Sequence, residues 1–268
     1  SDIIKPPFVS DDVSTFRFGS EILISGDGSE IYITAELDPS LASGLDGDPS
    51  DAVTDANDGA PLIGASYQRG GVYSLKVENE ALSYSTYFKP DAAFAALGFG
   101  SSISLSENDQ VLVIAAANQG KAYTYQRING AWEEGAGIAE GANATVSPDG
   151  RYVATVGESL VFENKDASFE NTNDDCSRSI MTPCILEHGT VRVHELNDGD
   201  ATTIFEFNPR TDIPGFNADL DYDLGGSLAF SRNGQLIVGA PRDDASTSGT
   251  DAEHDVLKRQ DSGAVLIF

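Results

Sequence analysis

Apolar residues along this chain fall in short runs that alternate with polar positions and are interrupted by Gly, Pro, Asn and Asp. That period of two predicts strands joined by turns. Helical periodicity is scarce: the stretch from Asp91 to Leu97 has room for one or two turns before Gly98 and Gly100 stop it. The longest clean apolar run, Val111 to Ala117, is far too short to span a bilayer, so no membrane insertion is expected.

The runs repeat. FGSEILISGDGSEIYITAEL from Phe18, FGSSISLSENDQVLVIAAAN from Phe99, EGANATVSPDGRYVATVGES from Glu140 and LGGSLAFSRNGQLIVGAPRD from Leu224 align without gaps across their first halves. Each reads as strand, tight turn, strand. The turns carry Asp27-Gly28, Asn108-Asp109, Asp149-Gly150 and Asn233-Gly234, residue types that accept positive φ and suit a two-residue hairpin. A third strand opens at Gly70, Gly120, Gly189 and Gly263. A fourth is expected at Leu82–Phe88, Ala131–Ile138 and Ala201–Phe207, whereas the last repeat ends one strand short. Ile3-Ile4-Lys5-Pro6 resembles Tyr87-Phe88-Lys89-Pro90, so an N-terminal strand is expected to complete the C-terminal unit and close a ring without exposed edges.

The shortest repeat interval, from residue 99 to residue 140, matches the roughly 40 to 45 residues of a four-stranded propeller blade. The expected fold is therefore all-β: one domain over residues 1–268, a four-bladed β-propeller of antiparallel blades with insertions at 38–69, 160–188 and 242–261. A pair of β-sandwiches would not explain four matched hairpins.

The pattern Phe-Gly-x-Ser, hairpin, Val-Gly-Ala-Pro and Gly-Ala-Val resembles the FG-GAP repeats of integrin α-subunit propellers and of many bacterial secreted proteins. Leu224-Gly225, Val238-Gly239-Ala240-Pro241 and Ser262-Gly263-Ala264-Val265 carry it best. Glu140-Gly141 replaces Phe-Gly in the third unit, only one unit has Gly-Ala-Pro, and four blades are fewer than the seven of integrins. The resemblance implies an adhesion or scaffold role at a cell surface, as part of a larger surface protein.

Blades of that family often bind calcium in the first hairpin turn through a run like Asp-x-Asp-x-Asp-Gly; none of SGDGSE, SENDQ, SPDGR or SRNGQ has it. The carboxylates gather elsewhere. The insertion at 38–69 holds Asp46, Asp48, Asp51, Asp55 and Asp58, with Asp55 to Gly59 a fragment of a calcium loop that lacks the terminal Glu. Asp219, Asp221 and Asp223 alternate directly before the fourth unit and, if extended, aim three carboxylates one way. Calcium at Asp219, Asp221, Asp223, Asp55 and Asp58 would relieve their repulsion; the bland alternative is solvated charge. Asp46, Asp48, Arg69, Arg242, Asp243 and Asp244 lie in or beside the insertions and are the candidate ligand-binding residues.

Cys176 and Cys184, the only cysteines, are expected to form a disulfide within the second insertion, which points to an exported, extracellular or cell-surface protein. No His-Glu-x-x-His, nucleophile elbow or phosphate loop occurs. His194 alternates with Val191 and Val193 on a strand, and Trp132 reads as either a sugar platform or an aromatic cover for its blade. Charge locates the function. The chain carries a formal −27, which excludes nucleic acid as a partner, and the insertions hold much of it: six Asp in 38–69, three Asp and three Glu in 160–188, five Asp and one Glu in 242–261. The expectation is a non-catalytic recognition or adhesion module that binds a protein, peptide or glycan through this acidic face, with calcium as the possible cofactor. The alternative is a metal-dependent hydrolase or lactonase-like propeller.

Overall fold

The computed structural model describes residues 3–6, 17–38, 40, 42–49, 70–79, 81–90, 98–157, 189–212, 224–241 and 263–268. They build four antiparallel sheets in chain order, three of four strands and one of three. The first sheet is β1 (Phe18–Ile24), β2 (Glu30–Ala35), β3 (Gly71–Glu78) and β4 (Ala81–Phe88). The second is β5 (Phe99–Leu105), β6 (Val111–Ala116), β7 (Lys121–Ile128) and β8 (Ala131–Ala139). The third is β9 (Asn143–Val146), β10 (Tyr152–Gly157), β11 (Thr190–Asn197) and β12 (Asp200–Phe207). A single helical turn, α1 (Pro209–Asp212), follows, and the fourth sheet is β13 (Ser227–Phe230), β14 (Leu236–Ala240) and β15 (Ala264–Ile267). Strand pairing within every sheet follows the chain, and the first strands pack side by side, β1 on β5, β5 on β9 and β9 on β13, in the manner of propeller blades.

Burial explains the texture of each strand. All six residues of β6 are buried. Leu112, Ile114 and Ala116, with Phe99 of β5, face Tyr32, Val72 and Phe88 of the first sheet, while Val111, Val113 and Ala115 face Ala144, Val146 and Val153 of the third. A strand covered on both faces reads as a continuous apolar run, VLVIAA, and not as an alternation. A third cluster, including Val156, Val191, Leu236 and Val238, joins the third and fourth sheets.

Two expectations change. The first turns are longer than two residues: Ser25 N donates to Glu30 O, Ser106 N to Val111 O and Ser147 N to Tyr152 O, each bracketing four residues, whereas Ser231 N donates to Gln235 O around three. The serine side chain causes this, as its hydroxyl binds the aspartate or asparagine of the turn and stabilises the wider loop. The positive φ falls where expected, at Gly28, Asp109, Gly150 and Gly234. The closing strand is also not seen. Among the described residues the fourth sheet has three strands, and the Lys5 carbonyl accepts a hydrogen bond from the Tyr84 hydroxyl of the first sheet.

Candidate functional site

The sheets have two distinct ends. At one, the four turns after β1, β5, β9 and β13 share one network. Ser25, Ser106, Ser147 and Ser231 each donate from Oγ to Oδ1 of Asp27, Asn108, Asp149 and Asn233 at 2.6 to 2.8 Å. Each hydroxyl also accepts a backbone N–H across the turn, from Glu30, Val111, Tyr152 and Gln235. The turns touch one another: Gly26 N donates to Asp109 Oδ1 at 3.0 Å, Asn108 Nδ2 to Asp149 O at 3.0 Å, and Arg232 pairs with Glu107 at 3.0 Å. Hydrogen bonds from Ser29 and Ser25 hold the Asp27 carboxyl down to about 2, and Ser147 and Arg151 lower Asp149 in the same way. These oxygens are committed to the turns, so the turns do not fit a calcium ion that needs about six to eight free oxygen ligands.

Antiparallel strands put the connections from second to third strand at the opposite end. Three of them are long, after β2, β10 and β14, while β6 and β7 are joined only by the short 3-10 turn Ala117–Gln119. The bases of these connections are firm. Gly70 forms a parallel bridge with Phe99, Gly141 N donates to the Gly120 carbonyl at 2.7 Å, and Gly189 lies against Leu224, so each third strand begins on the first residues of the next repeat. A methyl group at Gly70 would sit 1.8 Å from Phe99 O, and one at Gly189 would sit 2.0 Å from Leu224 O. Only glycine permits these approaches.

The start of the first connection is anchored by Asp38, which is fully buried and accepts from Tyr73 OH at 2.6 Å, Tyr87 OH at 2.9 Å and Ser40 N at 2.9 Å. Burial, reinforced by the Asp38 charge, pushes both phenols far up, so they stay protonated and donate. Lys89, also buried, donates from Nζ to Ser40 O at 3.0 Å. Sequence reasoning counted Asp38 with the solvated acids of its insertion. Its place three residues after the apolar run of β2, and so at the root of the insertion, was the available signal; its two tyrosine partners are 35 and 49 residues away in sequence.

Of the ligand-binding candidates, Asp46 and Asp48 lie within the described residues. Asp46 takes φ 57°, donates its N–H to Tyr87 O at 2.8 Å and accepts Tyr87 N–H on Oδ1 at 3.2 Å, which pins the connection along the end of β4. The Asp48 carbonyl accepts from Ser40 Oγ at 3.4 Å. Arg69, Arg242, Asp243 and Asp244, the metal candidates Asp55, Asp58, Asp219, Asp221 and Asp223, the cysteines Cys176 and Cys184, and the short helix at 91–97 lie outside the described residues. Among the described residues no three His, Cys, Asp or Glu side chains gather closely enough to hold a metal.

A cavity of about 470 Å³ opens between the second and third sheets, walled by Ala136 to Glu140 on one side and by Arg192, His194, Asp200, Ala201 and Thr203 on the other. Arg192 is held between Glu140 and Glu206. His194 is buried, with Nε2 3.0 Å from Thr155 Oγ1 and Nδ1 3.0 Å from Thr203 Oγ1. Burial, then the neighbouring Arg192 charge, lowers its pKa and keeps the ring neutral, so one ring nitrogen donates and the other accepts. Trp132 of β8 packs across on the first sheet: its ring meets Phe88 at 5.9 Å and Tyr32 at 6.3 Å edge-on, with the Arg127 guanidinium 4.4 Å over it.

No protein-family model matches the sequence, and no curated protein matches it. Solved structures show distant likeness. The chain resembles Sqt1 of Chaetomium thermophilum at 13% identity and TM-score 0.45, over 87% of this chain and 45% of that one. It resembles hydrazine synthase of Kuenenia stuttgartiensis at 9% and 0.43, over 87% and 45%. It resembles the β-propeller domain of the trilobed protease from Pyrococcus furiosus at 10% and 0.41, over 95% and 56%. The chain thus spans about half the length of these proteins.

Proposed function

We propose that this chain is a β-propeller of the FG-GAP type acting outside the cell as a non-catalytic recognition or adhesion module, which binds a protein, peptide or glycan through its acidic loop end. One observation supports the reading: the described roots of the three long connections lie at the end of the sheets opposite the interlocked turns, and the sequence gives those connections much of its acid. A clustered negative potential on a low-dielectric frame attracts cations and basic partner surfaces. Calcium held by Asp219, Asp221 and Asp223, with Asp55 and Asp58, would neutralise part of that field and order the connections. A Cys176–Cys184 disulfide would restrict the second insertion and fits an oxidising compartment.

The test has two arms. Calcium is titrated into chelator-treated protein by calorimetry and thermal melting, for the wild type and for the combined Asp219→Asn, Asp221→Asn and Asp223→Asn variant. A panel of glycans and basic peptides is then probed in calcium and in chelator. The reading expects saturable calcium binding and a raised Tm that the variant loses, with panel binding that falls in chelator. No calcium binding removes the ion from the account. Panel binding unchanged by loop-end neutralisation removes the loop end.

A further inference from the structure

The outer strands of the first two sheets, β4 and β8, can be compared residue by residue. In the first sheet Val72 pairs with Phe88 and Tyr73 with Tyr87; in the second Ala122 pairs with Ile138 and Tyr123 with Gly137. Both pairings slip at the same place, after Tyr73 and after Tyr123. Gly137 therefore stands where Tyr87 stands, and Ala139 where Lys89 does.

Successive residues of a strand send their N–H and C=O groups alternately to its two sides. Val77 N donates to the Ser29 carbonyl beside β2 and Arg127 N to the Gln110 carbonyl beside β6, so the odd-numbered residues of β3 and β7 bond to β2 and β6. Val72 and Ala122 then bond to Phe88 and Ile138, which leaves the backbone groups of Tyr87, Lys89, Gly137 and Ala139 pointing away from their sheets. On β4 that edge is occupied. Residues 44–46 run antiparallel along it: Leu45 bridges Phe88, Asp46 N donates to Tyr87 O at 2.8 Å, and Lys89 N donates to Gly44 O at 3.2 Å. On β8 it is open. No described residue bonds Gly137 or Ala139 on that side, and the connection from β6 to β7, the short turn Ala117–Gln119, has no residues to lay there.

The cavity between the second and third sheets runs along this open edge, since five consecutive residues, 136–140, line it, whereas a strand shows only every second side chain to a space on one face. Between Gly135 and Ala139 β8 has neither charge nor proline, two of the devices that commonly protect an exposed edge. Across the cavity Arg192 is held by Glu140 and Glu206, and the His194 ring by Thr155 and Thr203. The free charge on the wall is Asp200, which has no side-chain partner among the described residues. We propose that this edge is a second binding site, which takes an extended peptide as a fifth strand on β8 with a lysine or arginine opposite Ile138. Cross-strand partners share a face, so that side chain enters the cavity beside Ala201 and brings its cation toward Asp200. Main-chain bonds to Gly137 and Ala139 give affinity and the basic side chain gives selectivity, as when a strand is added to a sheet edge. The site does not draw on the acidic insertions.

Three labelled, end-capped peptides test this by fluorescence anisotropy and by amide exchange in NMR: Thr-Val-Thr-Lys-Thr-Val-Thr, its Glu-centred counterpart, and the Lys peptide with its backbone amides N-methylated. In the free protein the Gly137 and Ala139 amides are expected to exchange fast and that of Ile138 slowly, and the Lys peptide should slow the first two. It should bind better than the Glu peptide, and N-methylation, which keeps the charge and removes strand bonding, should abolish binding. Gly137→Pro removes an outward N–H without touching a bond inside the sheet and should weaken the Lys peptide about five-fold. Asp200→Asn should weaken it about two- to five-fold, the size of one exposed ion pair, and Asp200→Lys should turn the preference to the Glu peptide. Slow exchange of Gly137 and Ala139 in the free protein, absence of Lys-peptide binding, or equal binding of the N-methylated peptide overturns the site. A preference unmoved by Asp200→Lys overturns the basic side chain.

Discussion

The two ends of the sheets solve opposite problems with similar residues. Both are rich in Asp, Asn, Ser and Gly, yet at the turn end each polar side chain is consumed locally: Ser Oγ binds the turn carboxylate or amide, backbone N–H groups bind both, and neighbouring turns bind each other. At the loop end the described partners lie at the roots, through Asp38, Asp46 and the glycine junctions, and the sequence places further carboxylates in the long connections. Composition alone does not separate structural from functional polarity. What separates them is whether each oxygen already has a partner set by short-range geometry.

The strongest way to break the contrast is to remove the frame both ends share. Phe99 is fully buried, meets Tyr123 edge-on at 5.6 Å and roots the first junction. Phe99→Ala is expected to cost about 3 to 5 kcal/mol in denaturant unfolding and to loosen both ends together. Next comes the loop-end root. Asp38→Ala strands two buried tyrosine hydroxyls and one backbone N–H, at about 1 to 3 kcal/mol for each group left unpaired, whereas Asp38→Asn keeps an acceptor oxygen and should recover part of the loss. At the turn end, Ser147→Ala removes the Oγ bond to Asp149 and the acceptor for Tyr152 N–H, and about 1 to 3 kcal/mol is expected from the melting curve.

Acid should affect the turn end in a defined window. Asp27 and Asp149 have pKa values below their unfolded ones, so their contribution is present above the ordinary aspartate pKa of about 4 and disappears as pH falls towards 2. Asp27→Asn keeps an acceptor and should flatten that part of the Tm profile. His194 acts at higher pH. Its folded pKa is depressed, so the unfolded chain binds the proton first and stability declines as pH falls through about 6.5; His194→Gln should remove this step. The smallest effect is expected at the exposed Arg151–Glu195 pair, 2.5 Å apart beside the third turn, where Glu195→Gln should shift Tm only at low salt.

Much of the frame is legible in the sequence because strands and turns are local. The alternation around Ile22 to Ile24, the Gly-opened third strands and the run Leu82–Phe88 all reappear as strands, the last observed as Ala81–Phe88. The turn residues of positive φ are legible for the same reason. What escaped depends on contacts between distant positions. Nothing in periodicity marks Gly70 as a partner of Phe99 or Asp38 as a partner of Tyr87, and nothing in four turn motifs says that the serine before each would widen the loop. The candidate site was legible only as charge, since acidic composition locates a field without fixing which oxygens converge.

The division of labour between the ends is tested most directly by panel binding of two variants matched for folding by their melting curves: one with Asp219, Asp221, Asp223, Asp243 and Asp244 changed to Asn, the other Ser147→Ala. The account predicts that the first loses binding to the glycan and basic-peptide panel while the second retains it. Retained binding in the first, or loss in a folded Ser147→Ala protein, would contradict it.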